Sequence, residues 1–112
     1  MAIKKKTSKK KSTVVPYHDL LIESLKNQDE ALAYLNAALM DEDPEIFLIA
    51  LRNVVEAQTK GIGTIAKKTD LNRESLYRML SPKGNPELKS MRKILGVLGM
   101  NINIQADARH GR

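Results

Sequence analysis

Between residues 29 and 98 apolar side chains recur at helical spacing, and only beyond residue 99 does the spacing become that of a strand. Asp29 stands where a first helix would be capped, and Leu32, Leu35 and Leu39 then share one face, with Ala31 and Ala38 beside them. Asp41-Glu42-Asp43-Pro44 breaks that helix and starts another, with Asp43 as cap and Pro44 at the first helical position. Phe47, Ala50, Leu51, Val54 and Gln58 form its stripe, and Ile46, Ile49 and Val55 widen it, the pattern of a helix buried on more than one side. After the connector Lys60-Gly61-Ile62-Gly63 come two short helical stretches, Thr64–Thr69 and Arg73–Leu80, separated by Asp70-Leu71-Asn72. The turn residues of Ser81–Pro86 predict a loop. A fifth helix follows, with Met91, Ile94, Leu95 and Leu98 on one face and Gly99 as its stop.

Met100, Ile102 and Ile104 alternate with Asn101, Asn103 and Gln105, which predicts a short terminal strand. A lone strand leaves backbone groups without partners. Its neighbour is either Tyr17–Leu25, which fits a strand or a short helix, or the same strand of a second chain in a homodimer.

Two short helices joined by a three- to four-residue turn are the geometry of a helix-turn-helix. The residue types suit it. Ala66 is small where the second helix would cross the first, and Ile65, Leu71, Leu76 and Met79 stand at core-facing offsets. Asn72 is a strong cap for the second helix, whose outward positions Arg73, Glu74, Tyr77 and Arg78 are long and polar. Asp70 departs from the pattern, since the corresponding turn position usually holds Gly.

Charge sharpens this picture. The net charge is +6, but residues 1–13 hold six Lys and no acid, and residues 14–59 hold nine acidic and two basic side chains. Residues 60–93 reverse the balance with nine basic and three acidic side chains. Basic residues around the two short helices (Lys60, Lys67, Lys68, Lys83, Lys89, Arg92 and Lys93) are what phosphates demand. An acidic front half beside a basic back half implies two partners of opposite charge, or a segregation of ordinary surface charge. The expected organisation is a disordered Lys-rich arm at residues 1–15, one domain at 16–106 and a tail at 107–112. Cysteine is absent, so no disulfide frame or thiolate metal site is available. No apolar run approaches the roughly 20 residues that span a bilayer, and no secretory signal follows the lysines, so a cytoplasmic protein with no membrane partner is expected.

Several strings in residues 16–106 resemble one family. They are Ala33-Tyr34-Leu35-Asn36-Ala37-Ala38-Leu39, Asp43-Pro44, the helix-turn-helix, and Leu98-Gly99-Met100-Asn101-Ile102. The most specific is Leu76-Tyr77-Arg78-Met79-Leu80-Ser81-Pro82-Lys83-Gly84-Asn85-Pro86, which a plain helix-turn-helix regulator does not need. Together they resemble the short addiction module antidote proteins, HigA-like antitoxins with an Xre-type helix-turn-helix. The fold expected is all-α: a five-helix, lambda-repressor-like helix-turn-helix domain with a short C-terminal strand. The resemblance implies two partners, a RelE/ParE-type toxin and the double-stranded DNA operator of the shared operon, which such proteins repress. The lysine arm is not a feature of that family.

The candidate DNA surface comprises Thr64, Lys67 and Lys68 from the first short helix, Asn72, Arg73, Glu74, Ser75, Tyr77 and Arg78 from the second, and Lys83 from the loop. The candidate toxin surface lies in Tyr17–Glu45, with Tyr17, Leu20, Leu21 and Leu25 as apolar anchors, although the same leucines would equally cover the chain's own core. RelE/ParE-type toxins are typically basic, which suits the acids of that stretch.

Other chemistry is expected to be absent. Gly61-Ile62-Gly63-Thr64-Ile65-Ala66 matches a dinucleotide fingerprint, but a helix precedes it and no parallel sheet is available, so no cofactor is expected. His18 and His110 lack metal-spaced partners, and no nucleophile, base and orienter coexist, so neither a metal site nor an enzyme is expected. Two further functions stay open. One is a stand-alone or phage-type repressor with no toxin, the other an interaction module whose helix-turn-helix no longer binds DNA.

Overall fold

The computed structural model describes residues 17–108. The Lys-rich arm at 1–15 and residues 109–112 of the tail, His110 among them, lie outside the described residues. Six helices follow one another: α1 (Tyr17–Leu25), α2 (Gln28–Leu39), α3 (Pro44–Gln58), α4 (Ile62–Lys68), α5 (Arg73–Met79) and α6 (Leu88–Val97). The count expected from the sequence was five. Tyr17–Leu25 resolves as a helix that packs against α2 and α3.

Helix α1 ends with only Lys26 and Asn27 before α2, and this short link decides which residue caps the second helix. Asn27 does so, its side chain accepting from the Glu30 N–H at 3.0 Å. Asp29 therefore sits inside the first turn beside Glu30, where negative charge favours the helix dipole. Asp43 caps α3 as expected, accepting from the Glu45 N–H at 2.9 Å, with Pro44 in the first turn.

The inward line of α2 is Ala31, Leu35 and Ala38, because small side chains let α3 come close. Leu32 and Leu39, expected on the buried face, are instead 37% and 58% exposed. On α3 the buried residues are Leu48, Ala50, Leu51, Val54 and Val55, while Ile46 and Ile49 are exposed rather than widening the core. Tyr34 and Asn53 join the two helices, the amide donating to the phenol oxygen at 2.9 Å. Leu25, Leu51, Val54, Ile65, Leu76, Leu80 and Ile94 are completely or almost completely buried, so all six helices share one core.

The predicted strand is not formed. Among the described residues, no backbone hydrogen bond joins Asn101–Ala106 to anything else. The physical reason is direct: a strand needs a neighbouring backbone, and Tyr17–Leu25, the one candidate within the chain, is helical. What precedes this segment is well defined. Gly99 adopts φ +75°, and the Met100 N–H reaches back to the Leu95 carbonyl at 2.8 Å, closing α6 in a Schellman motif. Gln28 adds a further tie, its amide donating to the Leu98 carbonyl at 3.1 Å.

Candidate nucleic-acid interface

Two threonines shape the pair of short helices. Thr59 ends α3 by donating its hydroxyl to the Val55 carbonyl at 2.7 Å while accepting from the Gly61 N–H at 2.8 Å. Gly61 follows at φ +112°, a left-handed conformation that favours glycine, and α4 begins at the next residue. Thr69 repeats the device at the end of α4, donating to the Ile65 carbonyl at 2.8 Å and accepting from the Leu71 N–H at 3.1 Å. Helix α4 thus occupies Ile62–Lys68, starting two residues before the stretch read from the sequence.

The turn runs from Thr69 to Asn72. Asn72 caps α5 as expected, accepting from the Ser75 N–H at 3.1 Å. Asp70 binds α6 across the molecule, accepting from Lys93 Nζ at 2.6 Å. That hydrogen bond and the lysine charge hold the Asp70 carboxyl below the usual aspartate range. Ile65, Leu76 and Leu80 are fully buried beneath the two helices, with Ala66, Leu71 and Met79 packed against them. This anchoring turns the opposite face of α5 outward.

Arg73, Glu74, Tyr77 and Arg78 are all exposed, Tyr77 at 47%. Arg73 lies back over the first turn of α4, where a Cβ added at Gly63 would stand 3.3 Å from its guanidinium. Arg78 lies along α5, donating to the Ser75 hydroxyl at 3.2 Å. Asn72, Ser75, Arg78 and Lys83 border a single groove between α5 and the loop that follows it. Lys67 and Lys68 are exposed in the last turn of α4, and Thr64 is half-buried on the same helix. The structure thus gathers the sequence-derived DNA residues around two adjacent helices. Two of the surrounding lysines have protein partners. Lys93 is held by Asp70, and Lys83 pairs with Glu45 at 2.9 Å, which raises the Lys83 pKa.

The loop after α5 is fixed by Gly84. A Cβ there would stand 2.2 Å from the Met79 carbonyl oxygen and 2.6 Å from that of Arg78. Only glycine lets residues 81–84 close against the end of α5, with the Gly84 N–H bonded to the Ser81 carbonyl at 2.8 Å.

At the other end of the molecule, Tyr17 and Leu20 are 77% and 56% exposed on α1. Leu21 is half-buried against the core and Leu25 is 1% exposed within it, so Leu25 is a packing residue and not an anchor for a partner. His18 meets Glu56 of α3 at 3.3 Å, and Gln58 donates to the Leu25 carbonyl at 3.0 Å, fixing α1 to α3. Asp19, Glu23, Asp29, Glu30, Asp41, Glu42 and Asp43 are exposed along this front half. Among the described residues no helix is long and apolar enough to cross a membrane.

The all-helical fold, with a buried-faced α4–turn–α5 unit, is that of a helix-turn-helix-like domain. The family model described as "Probable addiction module antidote protein" matches residues 18–106, and the chain belongs to that family. An uncharacterized protein of Haemophilus influenzae (strain Rd) is 31% identical over 83 residues, spanning 74% of this chain and 84% of that protein. No solved structure matches. The match takes in all of α2 to α6 and the segment to Ala106, and an antidote family implies a toxin as partner.

Proposed function

We propose that this chain is the DNA-binding antitoxin of a toxin–antitoxin module, an antidote of the HigA-like, Xre-type kind, and that it represses its own operon. Two copies would place α5 in successive major grooves roughly 34–36 Å apart. The observation that carries the DNA reading is the orientation of α5: Ile65, Leu76 and Leu80 fix it from beneath while Arg73, Glu74, Tyr77 and Arg78 stand outside. Arg73, Glu74 and Tyr77 face base edges in this reading. Arg78 reaches bases or the flanking phosphate, and Lys67, Lys68 and Lys83 face the backbone, with Thr64, Asn72 and Ser75 at the rim. The protein partner is a RelE/ParE-type toxin held at the acidic front half, where Tyr17 and Leu20 are the exposed anchors and Leu21 lies beneath them. The function is binding, not catalysis, and is carried out in the cytoplasm.

The test is a titration of the chain with the duplex upstream of its own reading frame and with a scrambled duplex, at several salt concentrations. Arg73→Ala should weaken the cognate duplex by about 1–3 kcal/mol and relax preference at one base pair. Lys67→Ala should weaken both duplexes alike and make the salt slope shallower by roughly one. Binding of neither duplex by the unsubstituted chain would leave the interaction-module reading in its place. Operator binding without neutralisation of any toxin encoded beside it would leave the stand-alone repressor.

A further inference from the structure

The groove that Arg78 and Lys83 border encloses about 630 Å³, and the start of α6 forms one of its walls through Glu87 and Ser90. Ser90 is 7% exposed, and among the described residues its hydroxyl has no hydrogen-bond partner. A buried hydroxyl without a partner costs stability, and such a group in a native fold calls for a ligand, ion or water that binds it. The same wall offers more donors. Glu87 stands at the cap position of α6 but makes no side-chain hydrogen bond to the helix. The Met91 N–H reaches the Glu87 carbonyl at 2.9 Å, whereas the Leu88, Lys89 and Ser90 N–H groups have no acceptor among the described residues. Helix α6 is ten residues long, so its dipole adds partial positive charge at this end. At the rim, Arg78 meets no carboxylate among the described residues and donates to the Ser75 hydroxyl at 3.2 Å. Of the two carboxylates that line the groove, Asp70 is already met by Lys93, and Glu87 has no cation beside it among the described residues.

We propose that this groove is a phosphate-binding site: the Leu88–Ser90 amides and the Ser90 hydroxyl donate to the phosphate oxygens, and the Arg78 guanidinium closes over them. The donor set selects the ligand. Amides and a guanidinium have no lone pair for a metal ion, so a cation could use the hydroxyl alone. A helix start with free amides suits an anion, and a guanidinium adds the stronger, charge-assisted bonds. A phosphate presents oxygens in three directions and can accept from the helix end, the hydroxyl and the guanidinium together, which a planar carboxylate cannot. Two sources carry that chemistry, a backbone phosphate of duplex DNA and the phosphate of a small molecule. The first rests on the DNA reading given above, and the second does not.

The full chain, without DNA, is titrated with sodium phosphate and in parallel with sodium chloride at matched ionic strength and pH, and the backbone amide resonances are followed. Phosphate should move the Leu88, Lys89 and Ser90 amides along a saturating curve, and chloride should not. Ser90→Ala should weaken that binding about tenfold or more, since a hydrogen bond to a charged group is lost. The same variant should melt no lower than the wild type in buffer without phosphate, because it removes an unpartnered hydroxyl and adds a better helix former. Glu87→Gln should tighten the binding severalfold by removing a like charge from the wall. The duplex upstream of the reading frame then separates the sources. If it moves the same amides, and moves them less in Ser90→Ala, the phosphate is the DNA backbone's. If inorganic phosphate saturates the site and the duplex leaves those amides unmoved, the phosphate belongs to a small molecule. Amides that answer neither phosphate nor duplex, or that answer chloride equally, would overturn the proposal. So would Ser90→Ala binding phosphate as tightly as the wild type, or melting below it. A chain that binds no duplex while phosphate still saturates these amides would sink the DNA reading and leave this site standing.

Discussion

Gly84→Ala isolates the close approach that locks the loop to the end of α5. The new Cβ would meet the carbonyl oxygens of Met79 and Arg78 at 2.2 and 2.6 Å, and both are backbone atoms that no rotamer change can move. The Arg78 carbonyl is also occupied, accepting the Ser81 hydroxyl at 2.8 Å. Either the last turn of α5 or the Ser81–Gly84 turn must shift. Overpacking of this kind costs about 1–3 kcal/mol. The alanine also restricts the unfolded chain, which returns about 0.4–1 kcal/mol. A net loss of about 1–2 kcal/mol lowers the melting temperature of a domain this size by on the order of 5–15 °C. Gly96→Ala is the control. Gly96 is exposed within α6 with nothing within 4 Å of a new Cβ, so the same substitution should stabilise by about 0.5–1 kcal/mol. Thermal melts followed at 222 nm, with urea titrations alongside, read both. Equal melting temperatures for wild type and Gly84→Ala, or shifts of the same sign in the two variants, would refute the reasoning.

Removing the cap with Asn72→Ala should destabilise by about 1 kcal/mol and Asn72→Gly by only a few tenths, compared by urea midpoint. The Asp70 carboxyl titrates below its ordinary 3.8 because Lys93 favours the charged form, so its contribution is present above that value and is lost as the pH falls through the folded pKa. Melting temperatures of wild type and Asp70→Asn should therefore differ at neutral pH, converge in strong acid, and differ less at high salt, since the carboxylate is 84% exposed. A gap that stays constant with pH would contradict this. On α1, Leu20→Asp should leave melting unchanged and abolish toxin neutralisation in a co-expression assay, whereas Leu25→Ala should cost about 2–5 kcal/mol of stability.

The sequence announces structure best where the chemistry is local. Asp43 with Pro44, Asn72 ahead of α5, and Gly99 behind α6 act within a few residues of themselves, and all three do in the fold what their types suggest. Asn27 and Asp29 show the limit: either suits a cap, and the choice is made by the helix that ends at Leu25 just before them. For α2 the periodicity gives the width of an apolar stripe but not its centre. The centre was set by how closely α3 approaches Ala31 and Ala38, which left Leu32 and Leu39 outside. Nine residues of α1 hold too few turns to separate helix from strand by pattern. The site was legible in its outline, α4, turn and α5, but not in its ties. Asp70 to Lys93, Glu45 to Lys83 and Arg73 over Gly63 join positions far apart in the chain, and no spacing rule connects them.

Helices α4 and α5 are seven residues each, two turns apiece. Isolated helices shorter than about 12–15 residues do not hold in water, so both exist only through the packing beneath them. The Leu76 and Leu80 amides, bonded to the Asn72 and Leu76 carbonyls at 2.9 and 3.0 Å, belong to side chains with no exposed surface. Such amides exchange with solvent when the core itself opens, rather than by fraying of a helix end. The outer face of α5 is consequently an all-or-none surface, whole whenever the domain is folded and gone when it is not.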